Sequence, residues 1–206
     1  MTAPERDATA QPRRRGRRPA GSDTRAEIVT AARLAFAEHG YEATSLRAVA
    51  RRAGVDPALV HHYFTDKAAL FAACQQLPFN PTEQIDRAVA GDPDHVGERL
   101  VRFFLSTWDS VEGRPRIMAL VAAASTHEDA ARTLREFLAR EVFGRVVAGL
   151  GTDVPELRGS LVASQLVGLA MARYVVRVEP LASAEPEDVV RWLAPTVQRY
   201  LTAPLD

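Results

Sequence analysis

The chain has 206 residues, 47% hydrophobic and 25% charged, which is enough apolar side chain for a sizeable core and too much for disorder throughout. Its net charge is zero, but residues 1–77 hold 12 basic against 8 acidic side chains and residues 78–206 hold 14 against 18, so the N-terminal third suits a polyanion and the rest does not. The one cysteine, Cys74, excludes a disulfide within the chain and a cysteine-based metal site.

Residues 1–21 read as a disordered basic arm around Arg13, Arg14, Arg15, Arg17 and Arg18. Such a run repels itself and stays extended until it meets an anion. Two readings stay open: a solvated terminus, and an arm lying along DNA in a minor groove. The segment lacks the apolar stretch of a secretion signal, and no charge-free apolar run of about 18 residues follows. A cytoplasmic, nucleoid-associated protein without a membrane span is expected.

Thr24 with Glu27 forms a capping box, and Ile28, Ala32, Ala35, Phe36 and His39 recur at helical steps up to Gly40. A second helix starts after Thr44 or Ser45, buries Leu46, Val49, Ala50 and Ala53, and ends at Gly54. Asp56-Pro57 caps a third helix running to about Phe64, and a fourth begins near Asp66 with Leu70, Phe71 and Cys74 inward. This is a helix-turn-helix preceded by a supporting helix. A purely structural three-helix bundle needs the same apolar faces. It does not need the exposed succession His61, His62, Tyr63, whose rings can stack, donate and contact phosphate.

The first domain spans residues 22–77 and a second spans 78–206. Pro78, Asn80 and Pro81 break the helix, and Gly91-Asp92-Pro93 breaks the chain again. Helices are then expected from Val96 to Val111, through Ala124, from Glu128 to Leu150, from Glu156 to Val178 and from Glu185 to Leu201. No stretch alternates with period two, so the expected fold is all-α with about nine helices. Leu161 to Ala172 is apolar nearly all round, which a second subunit would cover. Leu161, Gln165, Gly168, Leu169 and Ala172, with Val189, Trp192, Leu193 and Val197 on the last helix, are the expected dimer face; an ordinary monomer core is the alternative.

Residues 24–71 resemble the DNA-binding domain of the TetR family of transcriptional regulators. The matching residues are Ile28, Leu34 and Phe36, then Gly40-Tyr41, Thr44-Ser45-Leu46-Arg47, Val49-Ala50 and Ala53-Gly54-Val55, then Val60-His61-His62-Tyr63-Phe64, Lys67 and Leu70-Phe71. His61 stands where the family usually has Tyr, and Leu59 where a small polar residue is common. The resemblance implies a C-terminal helical domain that binds a ligand and pairs its last two helices with a second copy in a four-helix bundle. It also implies DNA contacts from Ser45, Arg47, Ala58, Leu59, His61, His62 and Tyr63, with Lys67 on a phosphate.

Adjacent His61 and His62 diverge on a helix and cannot share a metal, and no nucleotide loop or nucleophile motif is present. No cofactor and no enzyme activity are expected. For a ligand, Phe104, Trp108, Met118, Phe137 and Tyr174 are large side chains on helices the resemblance places round a cavity, with Gln165, His127 and Arg173 as candidate polar groups. The same aromatics could equally fill a core. The expected function is a repressor that binds a palindromic operator as a homodimer and is released by a small apolar or aromatic effector. The alternative is a helical small-molecule or protein-binding module without a transcriptional role.

Overall fold

The computed structural model describes residues 22–205, and every regular element among them is helical. The expected arm, with Arg13 to Arg18, lies outside the described residues.

The first unit is built from locally encoded caps. Helix α1 (Ser22–Ala43) already includes Ser22, so Thr24 lies within it rather than capping it; Gly40, at φ 80°, ends its regular part as expected. Helix α2 (Leu46–Ala53) starts where the Ser45 hydroxyl oxygen accepts the Ala48 N–H at 3.1 Å, and stops at left-handed Gly54. Helix α3 (Pro57–Tyr63) is capped by Asp56, whose carboxylate accepts the Ala58 N–H at 2.8 Å, with Pro57 at its first position. Asp66 caps α4 (Lys67–Cys74) by accepting from Ala69 at 2.6 Å. The inner faces bury Ile28, Phe36, Tyr41, Val49, Val60 and Phe71 together, with Phe36 and Tyr41 edge-on to Phe71.

Helix α5 (Pro81–Val89) was not expected. Asn80-Pro81 reads as a break but works as a start: Asn80 accepts the Thr82 N–H at 3.2 Å, and Pro81 occupies the first helical position. A single turn over Pro93–His95 leads into α6 (Val96–Asp109), followed by α7 (Gly113–Thr126). Helix α8 (Glu128–Phe137), a π-helical turn (Leu138–Phe143) and α9 (Gly144–Leu150) form one continuous rod over the expected range. Helix α10 (Pro155–Ala170) ends in a second π turn (Met171–Val175), and α11 (Pro186–Thr202) closes the fold. Counting the rod once, the described residues form ten helices, one more than expected.

The second core gathers Ile85, Leu100, Leu105, Val146, Val162 and Leu166 from α5, α6, α9 and α10. Helices α6 and α11 meet backbone to backbone at Gly97, where a Cβ would stand 2.7 Å from the Ala194 carbonyl oxygen. Arg158, 2% exposed, joins α10 to the end of α11. Its guanidinium pairs with the Asp153 carboxylate and donates to the carbonyls of Tyr200 at 2.7 Å and Ala203 at 2.9 Å.

The expected dimer face divides. Leu169, Val189 and Val197 are buried in the chain's own core, because that stripe of α10 and α11 faces α6 and α9. Leu161, Gln165, Ala172 and Leu193 are half-buried, whereas Gly168 and Trp192, the latter 59% exposed, face outward. Exposed Leu157 extends that outward apolar surface along α10, and nothing stands within 4 Å of a Cβ built on Gly168.

Candidate DNA-binding face and apolar cavity

Helix α3 buries Val60 and turns Ala58, Leu59, His61 and His62 to solvent, with Leu59 40% exposed. Tyr63 is half-buried, its ring 5.1 Å from that of His62. Ser45 and Arg47 are exposed at the start of α2. Helix α3 therefore presents a short polar and aromatic edge of the size a major groove admits, flanked by cations on α2. Arg51, one turn beyond Arg47 on the same exposed face, belongs to this surface and escaped the sequence reading. Its neighbour Arg52 is engaged elsewhere, held by Glu38 through two hydrogen bonds of 2.5 and 2.6 Å.

Lys67 departs from expectation. Its Nζ donates to the carbonyl oxygens of Tyr41 at 2.9 Å, Thr44 at 3.1 Å and Glu42 at 3.3 Å, and lies 4.3 Å from the Tyr41 ring centre. An ammonium has three N–H groups, and all three are taken. Lys67 fastens the turn between α1 and α2. Desolvation in this setting, with Arg140 close by, lowers its pKa from the usual lysine range.

In the second unit a cavity of about 250 Å³ lies between α5, α6, α7, the rod and α10. Phe104, Trp108 and Phe137 line it as expected, joined by Phe79, Phe103 and Phe143 and by aliphatic side chains such as Leu120, Leu166 and Met171. Met118, His127, Gln165, Arg173 and Tyr174 do not line it. His127 is exposed at the α7–α8 junction, and Tyr174 stacks on the far side of Trp108 at 5.0 Å. Arg173, only 7% exposed, donates to the Leu181 carbonyl at 2.7 Å and lies 5.5 Å from the Tyr174 ring centre. A loop carbonyl and an aromatic face meet part of the guanidinium, while its buried Nε has no hydrogen-bond partner. Thr107 carries the one hydroxyl on the wall, which already donates to the Phe103 carbonyl, and the Trp108 indole N–H is the other polar group among the lining side chains. The wall carries no charge, so entry of an ion would leave it unpaired in apolar surroundings.

Residues 28–74 match the family model for bacterial regulatory proteins of the tetR family, and residues 94–201 match that for the tetracyclin repressor-like C-terminal domain. The chain belongs to the TetR family. As a TetR-family protein it is a DNA-binding transcriptional regulator and not an enzyme. A TetR-family regulator of Streptomyces coelicolor A3 is 43% identical, with a TM-score of 0.52, over 90% of this chain and 98% of its own. The transcriptional regulator BetI of Burkholderia thailandensis is 27% identical over 151 residues, 70% of this chain and 76% of BetI. The transcriptional repressor AcnR of Corynebacterium glutamicum is 31% identical over 94 residues, 41% of this chain and 50% of AcnR. Among the described residues no helix is long and apolar enough to cross a membrane.

Proposed function

We propose that this TetR-family chain is a repressor that binds a palindromic operator as a homodimer and is released by an uncharged apolar or aromatic effector held in the cavity. The observation that carries the effector class is the cavity wall: six aromatic rings, aliphatic side chains and a single hydroxyl already engaged within its own helix. An apolar pocket of this kind binds by surface burial and rejects charge. Carboxylic acids and cations are therefore poor candidates, and neutral arenes or hydrocarbons are good ones.

The DNA contacts are assigned to Ser45, Arg47 and Arg51 on α2, to Ala58, Leu59, His61, His62 and Tyr63 on α3, and to the arginines of the arm. Leu59 is suited to a thymine methyl group. The outward surface of α10 and α11, centred on Gly168 and Trp192 with Leu161 and Ala172 at its border, is suited to a second copy, and a two-fold protein reads a two-fold operator. Such a regulator works in the cytoplasm, at the nucleoid.

Genomic fragments retained by the protein supply the operator for a gel-shift titration. Neutral aromatic compounds are expected to raise the melting temperature and release the fragment, as linkage requires of a ligand that favours one state. Their acidic analogues are expected to do neither. Release by acids but not by their neutral counterparts would overturn the effector class, and a retained fragment without inverted symmetry would overturn the dimeric mode.

A further inference from the structure

We propose that Arg173, Tyr174 and Arg114 form a site for a small carboxylate anion of the size of formate, separate from the apolar cavity.

Among the described residues two arginines are buried, Arg158 and Arg173, and the fold treats them differently. Arg158 has the Asp153 carboxylate and the carbonyls of Tyr200 and Ala203. Arg173 has one acceptor, the Leu181 carbonyl, which takes Nη1. Its Nε is buried without a hydrogen-bond partner, and among the described residues no carboxylate pairs with it. A buried guanidinium in that condition is costly, and a counter-ion removes the cost.

A second unpartnered group stands beside it. Tyr174 follows Arg173 in the chain, and its buried hydroxyl also has no hydrogen-bond partner. The guanidinium carbon of Arg173 lies 5.5 Å from the Tyr174 ring centre, and that of Arg114 lies 5.3 Å from it. Burial pushes the Tyr174 hydroxyl up to about 12, against the pull of Arg173, so at neutral pH it is a donor. Arg114 is tied to the end of α6: its Nε donates to the Trp108 carbonyl at 2.8 Å and its Nη2 to the Asp109 carboxylate at 3.2 Å. Asp109 thus balances Arg114, and the charge of Arg173 is left over.

These donors define the ligand. A guanidinium whose Nη1 is engaged still offers the edge shared by Nε and Nη2, where two parallel N–H groups seat both oxygens of a carboxylate. One negative charge balances the corner. The Tyr174 hydroxyl adds a third donor, and the partly exposed Arg114 a second cation on the solvent side. The anion is small, because the Arg173 side chain and the Tyr174 hydroxyl are buried. It also stays clear of the apolar cavity: Trp108 lines that cavity, whereas Arg114, Arg173 and Tyr174 do not. Bound here, it joins the start of α7 to the end of α10.

The test follows the Nε–H resonance of Arg173, identified by its loss in Arg173→Lys, as sodium formate replaces sodium chloride at constant ionic strength. The resonance is expected to move and saturate while that of Arg158 stays in place. Tyr174→Phe keeps the ring and is expected to weaken formate binding about fivefold, the worth of one hydrogen bond. Arg114→Gln removes the second cation and is expected to weaken it about tenfold. Formate is also expected to raise the melting temperature of the wild type and not that of Arg173→Met, in which no charge needs a partner. Should Arg173→Met fail to fold, the resonance in the wild type decides alone. A shift that never saturates, or that saturates equally in Tyr174→Phe and Arg114→Gln, overturns the proposal. So does the absence of any response, the result expected if a carboxylate of a second copy already holds Nε.

Discussion

Replacing Lys67 by Met separates a structural ammonium from a phosphate ligand. Methionine keeps the apolar length and removes the charge with its three N–H donors. Two of the three hydrogen bonds, to Tyr41 and Thr44, are partly buried, and at about 1 kcal/mol each they account for about 2 kcal/mol. The bond to Glu42 is solvent-exposed and adds little. The contact with the Tyr41 ring at 4.3 Å contributes about 0.5–1 kcal/mol. A loss of about 3 kcal/mol lowers the melting temperature of a chain this size by roughly 6–12 °C. Operator affinity should fall because the α1–α2 turn loosens, yet the slope of log affinity against log salt should hold, since no phosphate loses its cation. A true phosphate contact behaves in the opposite way, leaving stability intact and reducing that slope by about one. Calorimetry with DNA titrations at three salt concentrations measures both quantities. A variant that melts like the wild type and loses one unit of slope refutes the role argued for Lys67.

Deleting residues 1–20 removes six arginines and two acids, and should weaken operator binding most at low salt without altering the melting temperature; equal affinity at low salt would leave the arm no role on DNA. Gly168→Leu should halve the mass in sedimentation while the protomer melts normally, because the new side chain meets nothing in its own chain. Leu169→Arg, by contrast, places an unpaired charge in the core and should destabilise the protomer by about 3–5 kcal/mol. Burial pushes the Cys74 thiol from 9.0 up to about 12, so the unfolded chain releases that proton first and stability should fall as pH rises from about 9 towards 12. The slope from this group is at most about 1.4 kcal/mol per pH unit, and urea midpoints of the wild type and Cys74→Ala across that range should diverge accordingly.

The helix-turn-helix was legible because its signals are local. Ser45, Gly54, Asp56-Pro57 and Asp66 each act on an amide or a dihedral within three residues of themselves. Helix α5 was missed because Asn-Pro marks a stop and a start alike, and only the chain beyond it decides which. The stripes of α10 and α11 were read correctly as apolar, but periodicity cannot say which neighbour covers a stripe. Leu169, Val189 and Val197 are covered by the same chain, while Trp192 is not. The partners that Lys67 and Arg173 have in the fold were not legible, because the carbonyls Lys67 holds stand 23 to 26 residues away and the one Arg173 holds lies on a loop with no periodic signal. Of the expected cavity residues, Phe104, Trp108 and Phe137 line it, and the polar candidates fell outside because a wall this apolar leaves no partner for them.

The clasp formed by Arg158 has a practical meaning for anyone handling this protein. The carbonyls of Tyr200 and Ala203 are two of its acceptors, so the last turn of α11 and the residue after it hold a buried cation in place. A truncation that removes Tyr200 to Ala203 would take two acceptors from the buried guanidinium at the base of α10 and leave it to Asp153 alone. The register of α10 against α11 would slacken with it, and so would the surface on which Gly168 and Trp192 are displayed. The stretch from Tyr200 to Ala203 is thus a structural element of the fold.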